Sequence, residues 1–297
     1  MENNNVKGHI AALFTVFVWG TTFISTKVLL KDFKPIEILF FRFLMGFIIL
    51  NLIYPKRLHI KERKQEILSA GAGICGVTLY YLFENIALTY TMASNVSVIL
   101  SVAPFFTAVF SCIFLKERKK IGVNFIMGFV LAIAGICLIS FKGEGLKFNP
   151  IGDILALGAA MIWAMYSVIT RKIGEYGYNI VQVTRRIFAY GLLFMIPFLF
   201  VFDFEPGLYR FADKVYTGNI IFLGLGASAL CFVTWNMAVK ILGAVKTSVY
   251  IYLSPVVTIV TAFIVLGERM TYMSIAGTVL TLGGLILSEK KSKKELP

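Results

Sequence analysis

Two charged side chains of opposite sign, Arg42 and Glu84, lie inside long apolar stretches of the sequence. An ionisable group at the centre of a membrane helix costs about 3 kcal/mol on insertion scales. Each of the two residues therefore needs a partner of opposite charge or a functional role that offsets this cost. At a rise of 1.5 Å per residue, Arg42 lies about 10 Å inside its stretch from Pro35, and Glu84 lies about 6 Å from the end of its own. We predict an Arg42–Glu84 pair, which either locks two helices together or faces a cavity.

Glu84 is also a candidate proton carrier. A carboxylate in a low-dielectric site resists ionisation unless it is paired. The hypothesis is that Glu84 loads and releases a proton while another solute crosses the membrane.

Two further arginines, Arg185 and Arg186, lie in a later apolar stretch, and no acid of matching depth follows on the next one. Two interpretations stay open for Arg186. Its planar guanidinium is suited to a substrate carboxylate or phosphate, or both arginines extend to the membrane surface. We favour the surface position for Arg185.

Aromatic and amide side chains supply the other candidate cavity residues. Trp19 and Trp163 hold mid-helix positions rather than the interfacial belt where tryptophan collects, so they either line and seal a cavity or pack against a neighbouring helix. Helical spacing prevents the remaining candidates from all facing inward. These candidates are Tyr80, Tyr81, Asn85, Asn95, Tyr166, Trp235, Asn236, Tyr250 and Tyr252.

Two prolines, Pro104 and Pro255, interrupt apolar stretches near mid-depth. Each removes a helical hydrogen bond and frees backbone carbonyls, so we predict a pair of hinges. Glu117 and Glu268 follow the ends of the same stretches, each with an adjacent arginine. We predict a structural salt bridge or a loop cap for both.

The composition excludes an ordinary soluble domain, because 58% of the 297 residues are hydrophobic and only 15% are charged. Backbone groups at membrane depth must be paired internally, and the apolar runs are too long for barrel strands. We predict an all-α integral membrane protein with ten transmembrane helices. They lie at about 8–29, 35–54, 67–88, 94–115, 122–141, 150–171, 180–202, 217–239, 245–267 and 272–289.

The lysines and arginines predict the orientation. If the N-terminus is cytoplasmic, 18 of them fall in inside segments and 7 in outside segments. By the positive-inside rule we predict that both termini face the cytoplasm. We expect the chain to span the plasma membrane. The net charge of +13 does not indicate nucleic-acid binding, because the basic residues lie between apolar runs.

The sequence contains an internal repeat. A constant offset pairs Trp19 with Trp163 and Arg42 with Arg186, and a second offset pairs Pro104 with Pro255. We predict two five-helix repeats, 1–142 and 150–289, followed by a basic cytoplasmic tail, 290–297. Because five is odd, the second repeat is inverted, which is the geometric basis of alternating access. The alternative is an old duplication without mechanical meaning.

Small residues also recur in the repeat. Gly128 with Ala132, and Gly277 with Thr281, form small-xxx-small pairs. Such pairs permit close contact between membrane helices, so we predict a scaffold role for them.

Short motifs in both halves carry a family resemblance. They are Val18-Trp19-Gly20, Phe41-Arg42-Phe43, Glu84-Asn85-Ile86-Ala87-Leu88-Thr89-Tyr90-Thr91, Ala103-Pro104 and Leu115-Lys116-Glu117-Arg118, then Trp163, Arg186, Asn236-Met237-Ala238, Ser254-Pro255 and Leu266-Gly267-Glu268-Arg269. On these residues the chain resembles an EamA-type member of the drug/metabolite transporter superfamily, from about residue 8 to residue 289.

The resemblance implies ten helices, cytoplasmic termini, a central cavity lined mainly by helices other than the fifth and tenth, and efflux of small metabolites. The second half departs from the first, with Trp235 where the first has Glu84 and Lys246 where it has Asn95. Binding chemistry is therefore not expected to be symmetric. A fold analogy specifies architecture better than cargo.

We predict a secondary transporter that exports a small polar metabolite such as an amino acid, with proton exchange. A passive channel or a non-transporting scaffold stays as the alternative. An intramembrane enzyme is disfavoured, because no HExxH or GxSxG pattern occurs, and an ATP-driven pump because no GxxxxGK[ST] occurs. The expected partners are a small-molecule substrate and the lipid bilayer, with a homodimer left open and no cofactor, metal or nucleic acid.

Overall fold

The computed structural model describes residues 2–60, 62–115, 123–140, 150–269 and 271–289, and the regular elements in these ranges are all helical. Ten helices follow one another through them: α1 (Glu2–Leu29), α2 (Pro35–Ile53), α3 (Arg63–Tyr90), α4 (Ala93–Phe114), α5 (Val123–Ser140), α6 (Pro150–Gly174), α7 (Ile180–Val201), α8 (Lys214–Leu242), α9 (Ala244–Leu266) and α10 (Tyr272–Glu289). All except α5 and α10 have the length and hydropathy of a membrane span, and those two contain shorter apolar helices. The predicted ten-helix architecture is confirmed.

Two helices contain a π-helical segment at equivalent places in the repeat. In α3 it covers Ile74–Leu79, and in α8 it covers Phe222–Leu230. A π-helical turn accommodates an extra residue and is frequent at functional sites. It changes the direction in which the following side chains point.

Two other helices are interrupted at their prolines. In α4 the helix stops at Leu100 and resumes at Ala103, with Pro104 in the first turn of the second part. In α9 a 3-10 turn, Val249–Leu253, precedes Pro255 in the same way. Proline fits the first turn because its missing N–H has no intrahelical partner there.

The two halves pack around a pseudo-two-fold axis. Helix α1 contacts α8 and α9, and its repeat counterpart α6 contacts α3 and α4. The contacts α2–α7, α4–α9 and α5–α10 each join a helix to its own counterpart, so they are unchanged when the halves are exchanged. With five spans in each half, the second half is inverted relative to the first. As a result α1 begins and α10 ends on one face of the bundle, here called the terminal face.

The helices α5 and α10 pack closely against each other. A methyl group added to Gly135 would lie 2.5 Å from the carbonyl oxygen of Gly277, and one added to Gly284 would lie 2.5 Å from that of Gly128. Only a residue without a side chain fits at such a distance. The predicted close contact of small residues therefore forms between these two helices.

Repeat-related cations bind helix ends. Lys27, in the last turn of α1, donates to the carbonyl oxygens of Leu88 and Thr91 at the end of α3, at 2.5 and 2.8 Å. Arg171, in the last turn of α6, donates to the carbonyl oxygen of Lys240 at the end of α8, at 3.0 Å. Each cation satisfies carbonyls that the helix leaves unpaired.

One acid caps a helix of the other half. The carboxylate of Glu268 accepts hydrogen bonds from the backbone N–H of Ala93 at 2.9 Å and of Ser94 at 3.2 Å, and from the Ser94 hydroxyl at 2.6 Å. The loop after α9 is thereby attached to the N-terminus of α4, as a helix cap. The repeat partner Glu117 and the tail 290–297 lie outside the described residues.

Candidate functional site

A small cavity lies at the centre of the bundle, between α1, α3, α4, α6 and α9. Its volume is about 40 Å³, and none of its described lining residues belongs to α5 or α10. A water molecule needs about 10–15 Å³ of such volume, so the cavity has room for a few waters and is too small for an amino acid. A substrate of that size therefore does not fit the cavity in this structure.

Glu84 is the one acidic or basic side chain among the described residues that line the cavity. It follows the π-helical segment of α3, and only 1% of its surface is exposed. Its Oε1 has no hydrogen-bond partner among the described residues, while the Tyr80 hydroxyl acts on the carboxylate by hydrogen bonding and Arg42 acts on it by its charge. A buried carboxylate oxygen without a partner is costly and is available to a ligand.

Arg42 lies behind the cavity wall. It is fully buried, and its Nε donates to the Ser228 hydroxyl at 3.0 Å, while Nη1 and Nη2 have no hydrogen-bond partner in the described residues. Its guanidinium lies 4.3 Å from the centre of the Tyr81 ring, which itself lines the cavity. The predicted ion pair with Glu84 is not present within 4.0 Å, because Arg42 stacks on Tyr81 instead.

Tryptophans from both halves meet at the cavity. Trp19 and Trp163 both line it, and their rings pack edge to face with centroids 5.0 Å apart. Trp19 also packs against Trp235 at 5.1 Å and donates from Nε1 to the carbonyl oxygen of Ala227 at 2.9 Å. Edge-to-face pairs of this kind make a rigid apolar wall. Of the two interpretations for Trp19 and Trp163, cavity lining and helix packing, the structure contains both.

A second layer of predicted residues supports this wall. Tyr166 packs against Trp163 and donates its hydroxyl to Oδ1 of Asn236 at 2.8 Å, and Asn236 donates to Thr184 at 3.1 Å. Trp235 is fully buried, and its Nε1 has no partner in the described residues. These side chains orient the wall without lining the cavity.

Three predicted residues lie away from the cavity. Asn85 donates to the carbonyl oxygen of Pro35 at 3.1 Å, and Asn95 donates to the Thr91 hydroxyl at 3.3 Å, so both join neighbouring turns or helices. Tyr252 lines a separate groove against α10. Their roles in binding stay predictions.

The two arginines of α7 have protein partners. Arg186 forms a salt bridge with Glu66 of α3, which also accepts a hydrogen bond from Tyr190. The next helix supplies no acid, as the sequence indicated, and the partner of Arg186 comes from α3 instead. Arg185 is 8% exposed and donates to the carbonyl oxygen of Tyr54 at 2.6 Å, in the loop at the terminal face, so its extension to the membrane surface stays a prediction.

The interruptions of α4 and α9 flank the cavity. Leu100 and Ala103 line it on either side of the break in α4, and Ile251 and Ser254 do so at the 3-10 turn of α9. Backbone movement at either break would change the cavity directly. The hinge role of Pro104 and Pro255 stays a prediction.

Sequence reasoning missed several small polar residues at the cavity. Thr22, Ser97 and Ser254 line it, and the hydroxyls of Ser97 and Ser254 lie 3.4 Å apart across the two halves. Ser254 directly precedes Pro255, and Thr22 lies three residues after Trp19, so their positions were the available signal. The π-helical segments have no equivalent signal, because hydropathy does not distinguish them from α-helix.

The sequence profile of the EamA-like transporter family matches residues 6–141 and 150–289. An uncharacterized transporter of Archaeoglobus fulgidus is 28% identical over 97% of the chain and 99% of its own length, and the uncharacterized transporter YvbV of Bacillus subtilis is 28% identical over 95% and 91%. A probable terminal-alkyne amino-acid exporter of Streptantibioticus cattleyicolor is 24% identical over 95% and 93%.

A solved crystal structure shares the fold, with a TM-score of 0.69 and 16% identity over 96% of this chain and 98% of that one. Two copies of the family profile account for the two halves of the bundle, and the family comprises transporters rather than enzymes. The chain therefore belongs to the EamA-like transporter family and is a multi-pass membrane transporter.

Proposed function

We propose that the chain exports a small polar metabolite such as an amino acid by alternating access, with a proton carried by Glu84. The observation behind this proposal is a pair of opposite charges, Glu84 at the cavity and Arg42 behind its wall, whose hydrogen-bonding capacity is partly unused. Oε1 of Glu84 and both terminal nitrogens of Arg42 lack hydrogen-bond partners among the described residues.

A zwitterion matches this arrangement. Buried charges without partners are costly, and a ligand that carries both signs compensates both at once. The substrate ammonium group would bind Glu84 between the aromatic rings, and its carboxylate would reach Arg42 when Tyr81 turns aside. A purely cationic substrate would leave Arg42 uncompensated.

The size of the cavity supports alternating access. At about 40 Å³ it excludes an amino acid, so a substrate enters only when one side of the bundle opens. The breaks in α4 and α9 lie at the cavity wall and are related by the repeat, so the same local movement can open either face.

Proton coupling follows from competition at one carboxylate. When the substrate ammonium leaves Glu84, the carboxylate is left negatively charged in an apolar cavity. Binding of a proton neutralises it. Proton and substrate then occupy Glu84 in turn, which couples their movement in opposite directions. The name of the Streptantibioticus cattleyicolor relative supports an amino acid as the cargo class.

The distribution of basic residues supports the orientation. Of the lysines and arginines, 18 lie in segments on the side of the termini and 7 on the other, so we place both termini in the cytoplasm and the chain in the plasma membrane. Labelling of single cysteines in the loops by a membrane-impermeant reagent tests this orientation. Labelling of both termini from outside intact cells would overturn it.

Transport into reconstituted vesicles tests the function. With an imposed pH gradient, we expect saturable uptake of a radiolabelled amino acid against its own gradient. Glu84→Gln should abolish the response to the pH gradient, whereas the matched control Glu175→Gln, an exposed acid paired with Lys172, should keep it.

Three results would contradict the proposal. Flux that is unsaturable and only dissipative indicates a channel, and no flux with any amino acid removes the cargo class. A full response to the pH gradient in Glu84→Gln removes the proton role and leaves the binding role to be measured by substrate affinity.

A further inference from the structure

The helices α2 and α7 carry a loop at each end, and the two loops are counterparts under exchange of the halves. The loop 202–213 follows α7 and covers the start of α2. The loop 54–60 follows α2 and covers the start of α7, on the terminal face. Symmetry would predict the same packing at both ends, and the two ends differ.

The end away from the terminal face is filled by the chain itself. Phe204 packs against Phe40 with ring centroids 5.0 Å apart, and Phe211 packs against Phe41 at 5.0 Å. Arg210 of the same loop pairs with the buried Glu37 of α2. Apolar and ionic groups of α2 are thus both covered.

At the terminal face the loop is held firmly in place. Arg185 donates to the carbonyl oxygens of Tyr54 and Lys56 at 2.6 and 2.7 Å, and Gln182 donates to those of Lys56 and Arg57 at 3.1 and 3.2 Å. These bonds fix the loop against α7. They do not fill the space between the loop and the helices.

A cleft of about 630 Å³ remains there. Its inner part is apolar and its rim is basic. Arg57, His59, Arg185 and Arg186 line the cleft on the loop and near the start of α7, and Phe47 and Ala189 line it further along the two helices. Ala189 lies nine residues into α7 from Ile180, so the cleft runs about 13 Å from the helix start into the depth of the membrane.

The cleft carries uncompensated positive charge. The charge of Arg186 is neutralised by Glu66. Arg185 binds only carbonyl oxygens, and no ion pair joins Arg57 or Arg185 to an acid within the described ranges. Two cations therefore face one opening at the level where lipid headgroups lie.

We propose that one anionic phospholipid occupies this cleft. Its phosphate binds between Arg57 and Arg185, and an acyl chain covers Phe47 and Ala189 between α2 and α7. The polarity of the cleft, basic outside and apolar inside, matches such a lipid, and basic pockets between membrane helices are known to bind acidic headgroups. The lipid thus takes the place that Phe204 and Arg210 fill at the other end. This site does not depend on the identity of the transported substrate.

Lipid retention by the purified full chain tests the site. In native mass spectrometry with equimolar phosphatidylglycerol and phosphatidylcholine, we expect selective retention of one phosphatidylglycerol. Arg57→Gln should weaken it about fivefold, the effect of one cation near a membrane surface. Ala189→Trp should displace the acyl chain and reduce retention at least as much.

Matched controls separate the cleft from general charge and hydrophobicity. Lys246→Gln removes an exposed cation of the terminal face outside the cleft, and Leu193→Trp adds an indole to the exposed face of α7. Both should retain the lipid as the unchanged chain does. The proposal is overturned if the cleft variants behave like these controls, if phosphatidylcholine is retained equally, or if inorganic phosphate competes the lipid away at equal concentration.

Discussion

The two ends of the α2–α7 pair differ in how an acid and an arginine are arranged. At the end away from the terminal face, the side chains of Glu37 and Arg210 are 1% and 10% exposed. At the terminal face, those of Glu66 and Arg186 are 28% and 39% exposed. The acid–arginine pair is therefore buried at the end where the loop carries phenylalanines. The acid–arginine pair at the other end is partly exposed to solvent.

This difference shows that the two repeats share the path of the backbone more closely than they share the side chains placed on it. Both loops cover the start of the opposite helix, yet only the loop 202–213 brings aromatic rings into the space beneath it. A buried ion pair is strongly destabilising to break, whereas an exposed one contributes little. The end of the α2–α7 pair away from the terminal face should therefore be closed and rigid, whereas the end at the terminal face should be accessible to a ligand.

Removal of the buried acid should have the largest effect. Glu37→Gln leaves Arg210 as a charge with no neutralising acid over the ring of Phe33 and should lower the free energy of unfolding by about 3–5 kcal/mol. Denaturant unfolding in detergent measures it. The control Glu205→Gln, which removes an acid that is 74% exposed, should change stability by less than about 1 kcal/mol. Equal effects would mean that the two ends do not differ.

Loss of the arginine that holds the terminal-face loop should have an intermediate effect. Arg185→Gln removes two charge-assisted hydrogen bonds to carbonyl oxygens and should cost about 1.5–3 kcal/mol. Hydrogen exchange should increase in the loop 54–60 and not in the loop 202–213. Unchanged exchange in the first loop would show that Gln182 alone holds it.

The smallest effect is expected at the exposed pair. Glu66→Gln should lower the free energy of unfolding by less than about 1 kcal/mol, and the difference should shrink further in high salt because water and ions already screen the pair. Unfolding at two salt concentrations measures this. A loss as large as that of Glu37→Gln would contradict the contrast between the ends.

The architecture could be predicted from the sequence because its signals are local. Hydropathy located ten helices, with every boundary except the start of α1 within about four residues of the structure. The prolines marked the interruptions of α4 and α9, and small residues marked the contact of α5 with α10. These features depend on neighbours along one helix.

The partners of the charged residues could not be predicted in the same way. Depth along a helix suggested that Arg42 pairs with Glu84 and that Arg186 has no acid, but it does not say which helices adjoin. Arg42 binds Ser228 of α8, and Arg186 binds Glu66 of α3. Both contacts cross between the halves, so they depend on the packing of the whole bundle.

The direction in which side chains point around each helix could also not be predicted from the sequence. Glu84 and Trp235 are equivalent in the repeat, yet Glu84 lines the cavity and Trp235 is buried behind it. A π-helical segment precedes each residue, with six residues in α3 and nine in α8, and such a segment shifts the angular position of the side chains after it. Hydropathy contains no record of that shift.

The glycine contact between α5 and α10 has a consequence for motion. Its two halves, Gly135 on Gly277 and Gly284 on Gly128, interchange under the pseudo-two-fold operation. If the protein alternates between two states in which the repeats swap conformations, this contact has the same geometry in both. Under that condition the contact stays stationary during transport, so a covalent link across it should leave turnover intact, whereas the same link between α1 and α9 should arrest it.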